Sequence, residues 1–298
     1  MKVLFIHDFT VEQWLGGAQL EINWFMEIGR RKGHECKLIT PENYSRDEVA
    51  SAGLVIFNNV SRFQVEELNW ISKQKPFITW THDYTLAHWT LKISTAEKAE
   101  CALNLLKNSL CNIFLSPLHA HEYQRLVNLE DATNLIMASP INVDLFQDLK
   151  LERDIDFLFA GRLSPPKGVL NVLVTAAANP NKNFYFAGSG PLQEIMREKA
   201  SSNCKILGEV PYAKMPELYS RAKFFIYLPE WADPFAQVAV QAKLCNCNLI
   251  INQNVGAASY DWFFYENEKI RQLLRKVPFK GWEKIHEIYN LNRPPDTL

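Results

Sequence analysis

Eleven short apolar segments, rich in β-branched and aromatic residues, recur along the chain with helical stretches between them. That rhythm restricts the fold more than any other feature. In the first half the segments are Val3–His7, Cys36–Thr40, Leu54–Asn58, Phe77–Trp80, Asn112–Ser116 and Asn134–Ala138. In the second half they are Asp156–Gly161, Asn183–Gly188, Lys205–Gly208, Lys223–Leu228 and Asn248–Asn252. Strands alternating with helices build parallel α/β units, because a parallel connection needs a crossover long enough to hold a helix. The halves match in size and pattern, which favours two facing Rossmann-like domains with a cleft between them over one sheet. Residues 140–150 lack a periodic pattern and lead into Leu151-Glu152-Arg153-Asp154, so the expected domains are 1–150 and 151–298. Between the first two strands, Leu20, Trp24, Phe25 and Ile28 fall at helical spacing and are expected to face the core. Near the end, Trp282, Ile285, Ile288 and Tyr289 form the inward side of an amphipathic helix expected to pack back on the amino-terminal domain.

A chain of 298 residues with 47% hydrophobic and 22% charged residues can support two such cores. Its formal net charge of −1 gives no general attraction to nucleic acid or anionic membrane. Six scattered cysteines lack zinc-ligand or redox-motif spacing and read as structural thiols of a reducing compartment. Lys2–His7 is strand-like and shows no signal-peptide pattern, and no apolar run approaches the ~20 residues of a spanning helix. A cytoplasmic protein is expected, with peripheral membrane contact left open.

The chemistry concentrates where apolar segments end. Phe157-Leu158-Phe159-Ala160 runs into Gly161-Arg162-Leu163-Ser164-Pro165-Pro166-Lys167-Gly168, placing two cations on a proline-stiffened loop after a strand. Open α/β sheets bind ligands at that end, and a guanidinium fork with an ammonium suits a diphosphate. A surface loop with two solvated charges is the plain alternative. Gly16 and Gly17 precede a helix and permit backbone contact with an anion, although a tight turn would need them equally. The G-x-G-x-x-G dinucleotide fingerprint is absent there. Gly188, in Gly188-Ser189-Gly190-Pro191, ends another strand and serves a ligand or a turn alike. Asp233 and Gln241 lie eight apart around the start of a helix; as a simple alternative, Asp233 caps that helix with Pro234 at its first position. His82 follows the strand Phe77–Trp80, while His7 and Asp8 end the first strand and could line an acceptor. Asp154-Ile155-Asp156 imitates a two-carboxylate metal motif but precedes its strand, at the wrong end for a site.

In order and spacing, these elements resemble the retaining GT-B glycosyltransferases of family four, the glycosyl transferases group 1. That family's Gly-Arg-Leu-x-x-x-Lys-Gly, Gly-x-Gly-Pro and Glu-Pro-Phe-Gly with a second Glu eight residues later correspond to Gly161–Gly168, Gly188–Pro191 and Asp233-Pro234-Phe235-Ala236 with Gln241. Gly16-Gly17-Ala18-Gln19, Ser116-Pro117-Leu118-His119 and Ser139-Pro140-Ile141-Asn142-Val143-Asp144-Leu145-Phe146 resemble further landmarks, so the likeness runs from residue 1 to about 258. The resemblance implies an amino-terminal acceptor domain and a carboxyl-terminal donor domain. It implies transfer of a sugar from a nucleotide-diphosphate sugar to an acceptor hydroxyl, with retention and without metal or cofactor. Arg162 and Lys167 would then grip the diphosphate and Gly17 would contact it through its backbone. Asp233 would touch the donor sugar, Phe235 and Ala236 would flank it, and Gln241 would hold the ribose. Glu209 and Val210 would border the base, and His82 would stand near the sugar and leaving phosphate. Three residues depart from the pattern: Asp233 for Glu, Ala236 for Gly and Gln241 for Glu. They motivate the alternatives, a nucleotide-sugar-binding relative with lost or altered chemistry, or a sugar-nucleotide epimerase or hydrolase. Base, sugar and acceptor (lipid, polysaccharide, protein or small molecule) are not legible.

Overall fold

The computed structural model describes residues 1–14, 16–91 and 94–292. The chain divides into two compact units, Met1–Ile141 with Arg275–Leu298, and Asn142–Leu274. The boundary falls nine residues before the 150/151 position read from sequence. The reason is that 142–150 bonds into the second unit. Arg271 donates to Val143 O at 2.6 Å, Asn246 to Asp148 at 3.0 Å, and Leu149 N to Ser220 Oγ at 2.9 Å.

The first unit holds a parallel sheet of β1 (Lys2–Ile6), β2 (Glu35–Ile39), β3 (Leu54–Phe57), β4 (Phe77–Trp80), β5 (Asn112–Phe114) and β6 (Asn134–Ile136), in the order β2-β1-β3-β4-β5-β6. Its helices are α1 (Gly17–Arg31), α2 (Arg46–Ala50), α3 (Val65–Gln74), α4 (Thr85–Trp89), α5 (Ala96–Asn108) and α6 (Pro117–Leu126). Strands β1, β3 and β4 are apolar almost throughout because helices cover both faces of a parallel sheet. In α1 the buried apolar face is Ile22, Phe25, Met26 and Ile28; of the expected stripe Phe25 and Ile28 are buried, whereas Leu20 and Trp24 are only half-buried.

The second unit holds β7 (Ile155–Ala160), β8 (Phe184–Ala187), β9 (Cys204–Gly208), β10 (Ala222–Tyr227) and β11 (Asn248–Ile251), all parallel, in the order β11-β10-β7-β8-β9. Its helices are α7 (Val169–Ala177), α8 (Gln193–Lys199), α9 (Met215–Arg221) and α10 (Gln237–Leu244). The last helix, α11 (Asn267–Leu291), starts in this unit, and its later part belongs to the first. There Trp282 stacks on Phe25 at 4.9 Å and donates its indole N–H to Phe25 O at 2.8 Å. Gly29 makes room for it: a Cβ at that position would lie 2.3 Å from the Trp282 ring.

Each sheet has a place where the chain's progression reverses, between β1 and β3 in the first unit and between β7 and β10 in the second. Beyond the carboxyl ends of such a strand pair the chain continues to helices on opposite faces of the sheet, which leaves a crevice where ligands of open α/β sheets bind.

Candidate functional site

In the second unit the loops after β7 and β10 converge at the reversal point. The loop after β7 is tied down by Gly161 N to Ala187 O at 3.0 Å and Leu163 N to Ser189 O at 2.9 Å. Gly188, after β8, is needed for this packing, since its φ is +132° and a Cβ would meet Gly161 O at 2.0 Å. A single turn of 3-10 helix, Pro165–Lys167, then carries Lys167 to the loop after β10. Glu230 N donates to Pro166 O at 3.1 Å and joins the two loops through backbone.

Lys167 Nζ lies 2.5 Å from Asp233 Oδ2. The same oxygen accepts the Tyr227 hydroxyl at 2.7 Å, and Oδ1 accepts Phe235 N–H at 3.2 Å. Burial pushes the Asp233 carboxyl up, but the Lys167 charge and these hydrogen bonds outweigh it and hold the group below the usual carboxylate range. Burial, followed by the Asp233 charge, raises the Tyr227 phenol well above its ordinary value. Asp233 therefore does not cap α10. That helix begins at Gln237 after Ala236, which takes a left-handed conformation with φ 61° and ψ 65°. Phe235 is buried, with Tyr260 and Trp262 against its ring. Gln241 is buried in α10, and its Oε1 accepts the Tyr219 hydroxyl at 3.2 Å. Arg162 is exposed on the loop that carries Lys167, and Glu209 (exposed) and Val210 (half-buried) follow β9.

The opposite, amino-terminal end of the central strand carries Asp154 and Asp156, which pair with Arg221 and Lys223 at 2.6 Å and 2.8 Å. Among the described residues, no group of three or more His, Cys, Asp or Glu side chains could hold a metal ion.

In the first unit, His7 and Asp8 leave β1, and Asn58 leaves β3, at the reversal point. Asp8 serves the neighbouring loop. Its carboxylate accepts Ser61 N at 3.0 Å, Ser61 Oγ at 2.6 Å and Arg62 N at 2.8 Å. His82 is held from two sides, with Nδ1 2.7 Å from Glu21 Oε2 and Nε2 3.0 Å from Asn58 Oδ1. The Asn58 amide donates to Ile6 O and Ile56 O, which fixes its oxygen toward His82. Ser139 Oγ donates to the other Glu21 oxygen. His7 is buried, its Nδ1 accepts Phe9 N–H at 3.0 Å, and burial followed by the His82 charge lowers its pKa to about 4. Gly16 is the N-cap residue of α1 and Gly17 its first residue.

The sequence marked Lys167, Asp233, His82 and His7 as separate positions at strand ends, but neither that Lys167 meets Asp233 nor what surrounds each. Tyr227, Tyr219, Glu21, Asn58 and Ser139 were missed. Glu21 left a faint signal, an acid between Leu20 and Ile22 on a helix with an apolar face. Tyr227 left less, as an aromatic residue in a strand already rich in them.

The chain has the fold of GT-B glycosyltransferases. Residues 142–260 match the family model "Glycosyl transferases group 1", a span that includes Arg162, Lys167, Gly188, Glu209, Val210, Asp233, Phe235, Ala236 and Gln241. No curated protein matches the chain by sequence. Solved structures resemble it in fold, and three of them illustrate the likeness. Sucrose-phosphate synthase from Thermosynechococcus elongatus is 14% identical, with 97% of this chain and 95% of that one covered at a TM-score of 0.68. HepE of Anabaena, in complex with UDP-glucose, is 16% identical, with 97% and 92% covered at 0.66. The catalytic domain of starch synthase IV from Arabidopsis thaliana, bound to ADP and acarbose, is 10% identical, with 97% and 98% covered at 0.64. No helix among the described residues is long and apolar enough to cross a membrane.

Proposed function

We propose that this protein transfers a sugar from a nucleoside-diphosphate sugar to an acceptor hydroxyl, with retention at the anomeric carbon. The observation that carries this reading is the placement of Lys167 and Asp233 together at the β7/β10 reversal point, within the span that matches the family model. Arg162 and Lys167 neutralise the two phosphates as the glycosidic bond breaks, a task a divalent metal performs elsewhere. Fixed charges of this kind stabilise a departing diphosphate without reorganisation during the reaction. Phe235 and Ala236 present backbone along the donor, Gly188 shapes the wall beside it, and Gln241, Glu209 and Val210 border the nucleoside. His82 contributes a fixed polar wall, since Nε2 is hydrogen-bonded to Asn58 and Nδ1 lies beside the Glu21 carboxylate. Gly16, Gly17, His7 and Asp8 belong to the acceptor-side unit. No carboxylate is placed as a covalent nucleophile, so the leaving phosphate takes the acceptor's proton on the face it departs from.

The test is incubation of the purified chain with UDP-, ADP- and GDP-sugars and an acceptor panel in the presence of a chelator, followed by proton NMR. Glycoside formed with the donor's anomeric configuration is expected. A product that needs divalent metal, or that is inverted, contradicts the mechanism. The substitutions at 233, 236 and 241 favour one second reading, a binding relative without transfer. Donor binding with no product across the panel identifies it, and donor consumed without acceptor identifies a hydrolase or epimerase.

A further inference from the structure

We infer that Asp233 is a positioning residue for Lys167 and makes no hydroxyl contact with the donor sugar, and that Tyr227 secures it in that role. The inference rests on the nucleotide-sugar reading above and assigns where donor affinity comes from: the nucleoside diphosphate, with little contribution from the hexose.

The argument is one of hydrogen-bonding capacity. An ionised carboxylate offers about four acceptor positions. Asp233 gives two on Oδ2, to Lys167 and Tyr227, and one on Oδ1, to Phe235 N–H. Its side chain is 8% exposed, which leaves little access to the single remaining position. The backbone on either side is equally committed, with Asp233 N donating to Asn254 O at 2.7 Å and Asp233 O accepting Gly256 N at 3.0 Å. The aspartate thus has neither reach nor a free face for two sugar hydroxyls. Lys167 is the opposite case. Its side chain is 35% exposed, and an ammonium held by one carboxylate oxygen keeps two donors for a ligand oxygen. Tyr227 stands in the last position of β10 with its hydroxyl on the same oxygen as Lys167. It fixes the carboxylate from the strand side, and so fixes the direction in which Lys167 points.

The experiment is calorimetric titration of the wild type, Asp233→Asn and Tyr227→Phe with three probes per base. The probes are the nucleoside monophosphate, the diphosphate and the diphosphate–hexose of uridine, adenosine and guanosine. For the base that binds, the wild type should bind diphosphate and sugar conjugate within about threefold of each other. Asp233→Asn should weaken both by a common factor of about ten and leave the monophosphate unchanged, because Lys167, still charged, is no longer held toward the distal phosphate. Tyr227→Phe should do the same, about threefold. Selective loss of the sugar conjugate in Asp233→Asn shows that Asp233 reads the sugar and overturns the inference. Equal loss of all three probes marks general damage to the unit and overturns it as well, as does no loss at all. A wild type that binds none of the series removes the nucleotide-sugar reading itself, a failure distinct from these.

Discussion

Replacing Lys167 with methionine keeps the aliphatic stem and deletes the charge, leaving Asp233 only the Tyr227 hydroxyl and Phe235 N–H as donors. Removing one partner of a buried ion pair costs about 3–5 kcal/mol when both partners are buried. Here the lysine side chain is 35% exposed and the aspartate 8%, so solvent already screens half of the pair. Two hydrogen bonds survive as well. We therefore expect a loss of about 2 kcal/mol near neutral pH, which lowers the melting temperature by roughly 8 °C for a unit of this size. The pH dependence separates this cause from lost packing. In the wild type Asp233 titrates below its unfolded value of about 3.9, so its contribution is present above that pH and fades as pH falls through the lower, folded value. In Lys167→Met burial is unopposed by the lysine, and the carboxyl titrates higher. The variant's deficit should open as pH rises through the wild type's lowered folded value toward neutrality and close below that value, where both proteins carry a protonated Asp233. Thermal melts of the two proteins at matched pH values measure it. A deficit that is constant across that range, or smaller than about 0.5 kcal/mol at neutral pH, refutes the reasoning.

Three further outcomes follow from the same structure. Glu21→Gln should cost about 1–3 kcal/mol in denaturant unfolding, because an amide replaces a buried carboxylate that accepts the Ser139 hydroxyl and faces His82, 2% exposed; a change under about 0.5 kcal/mol would show that the pair is not coupled. The His7 ring should still be neutral by NMR at about pH 5.5. Its lowered pKa, about 4, makes its contribution to stability present above the unfolded value of about 6.5 and lost as pH falls through the folded value. Ala236→Gly should shift stability by no more than about 0.5 kcal/mol, since relief of the left-handed strain, about 1 kcal/mol, is offset by the freer unfolded chain. Ala236→Val, β-branched in the same conformation, should lose more than about 1 kcal/mol by thermal melts.

The strands were legible because burial on both faces leaves a short apolar run, as in Leu54–Phe57, bounded by polar and turn residues and rich in β-branched and aromatic side chains. Lys167 and Asp233 were legible as separate positions at strand ends. That they meet was not, for the two residues lie 66 apart and are joined only by the sheet order that sets β10 beside β7. A helix cap was the plain alternative for Asp233 because Asp-Pro at a helix start is a local signal. The observed turn to Phe235 N and the left-handed Ala236 are imposed by the loop's bonds to Asn254 and Gly256. Glu21 was hidden for a related reason, since a buried carboxylate is tolerated only where distant His82 and Ser139 meet it.

Direct binding of a nucleoside diphosphate to the wild type and to Arg162→Ala tests the central claim most immediately, since each charged contact with a phosphate is worth about 1.5–3 kcal/mol. Titration should show the arginine variant, still folded, binding roughly tenfold to a hundredfold more weakly. Equal affinity in the two proteins, or no binding to either across the common bases, contradicts it.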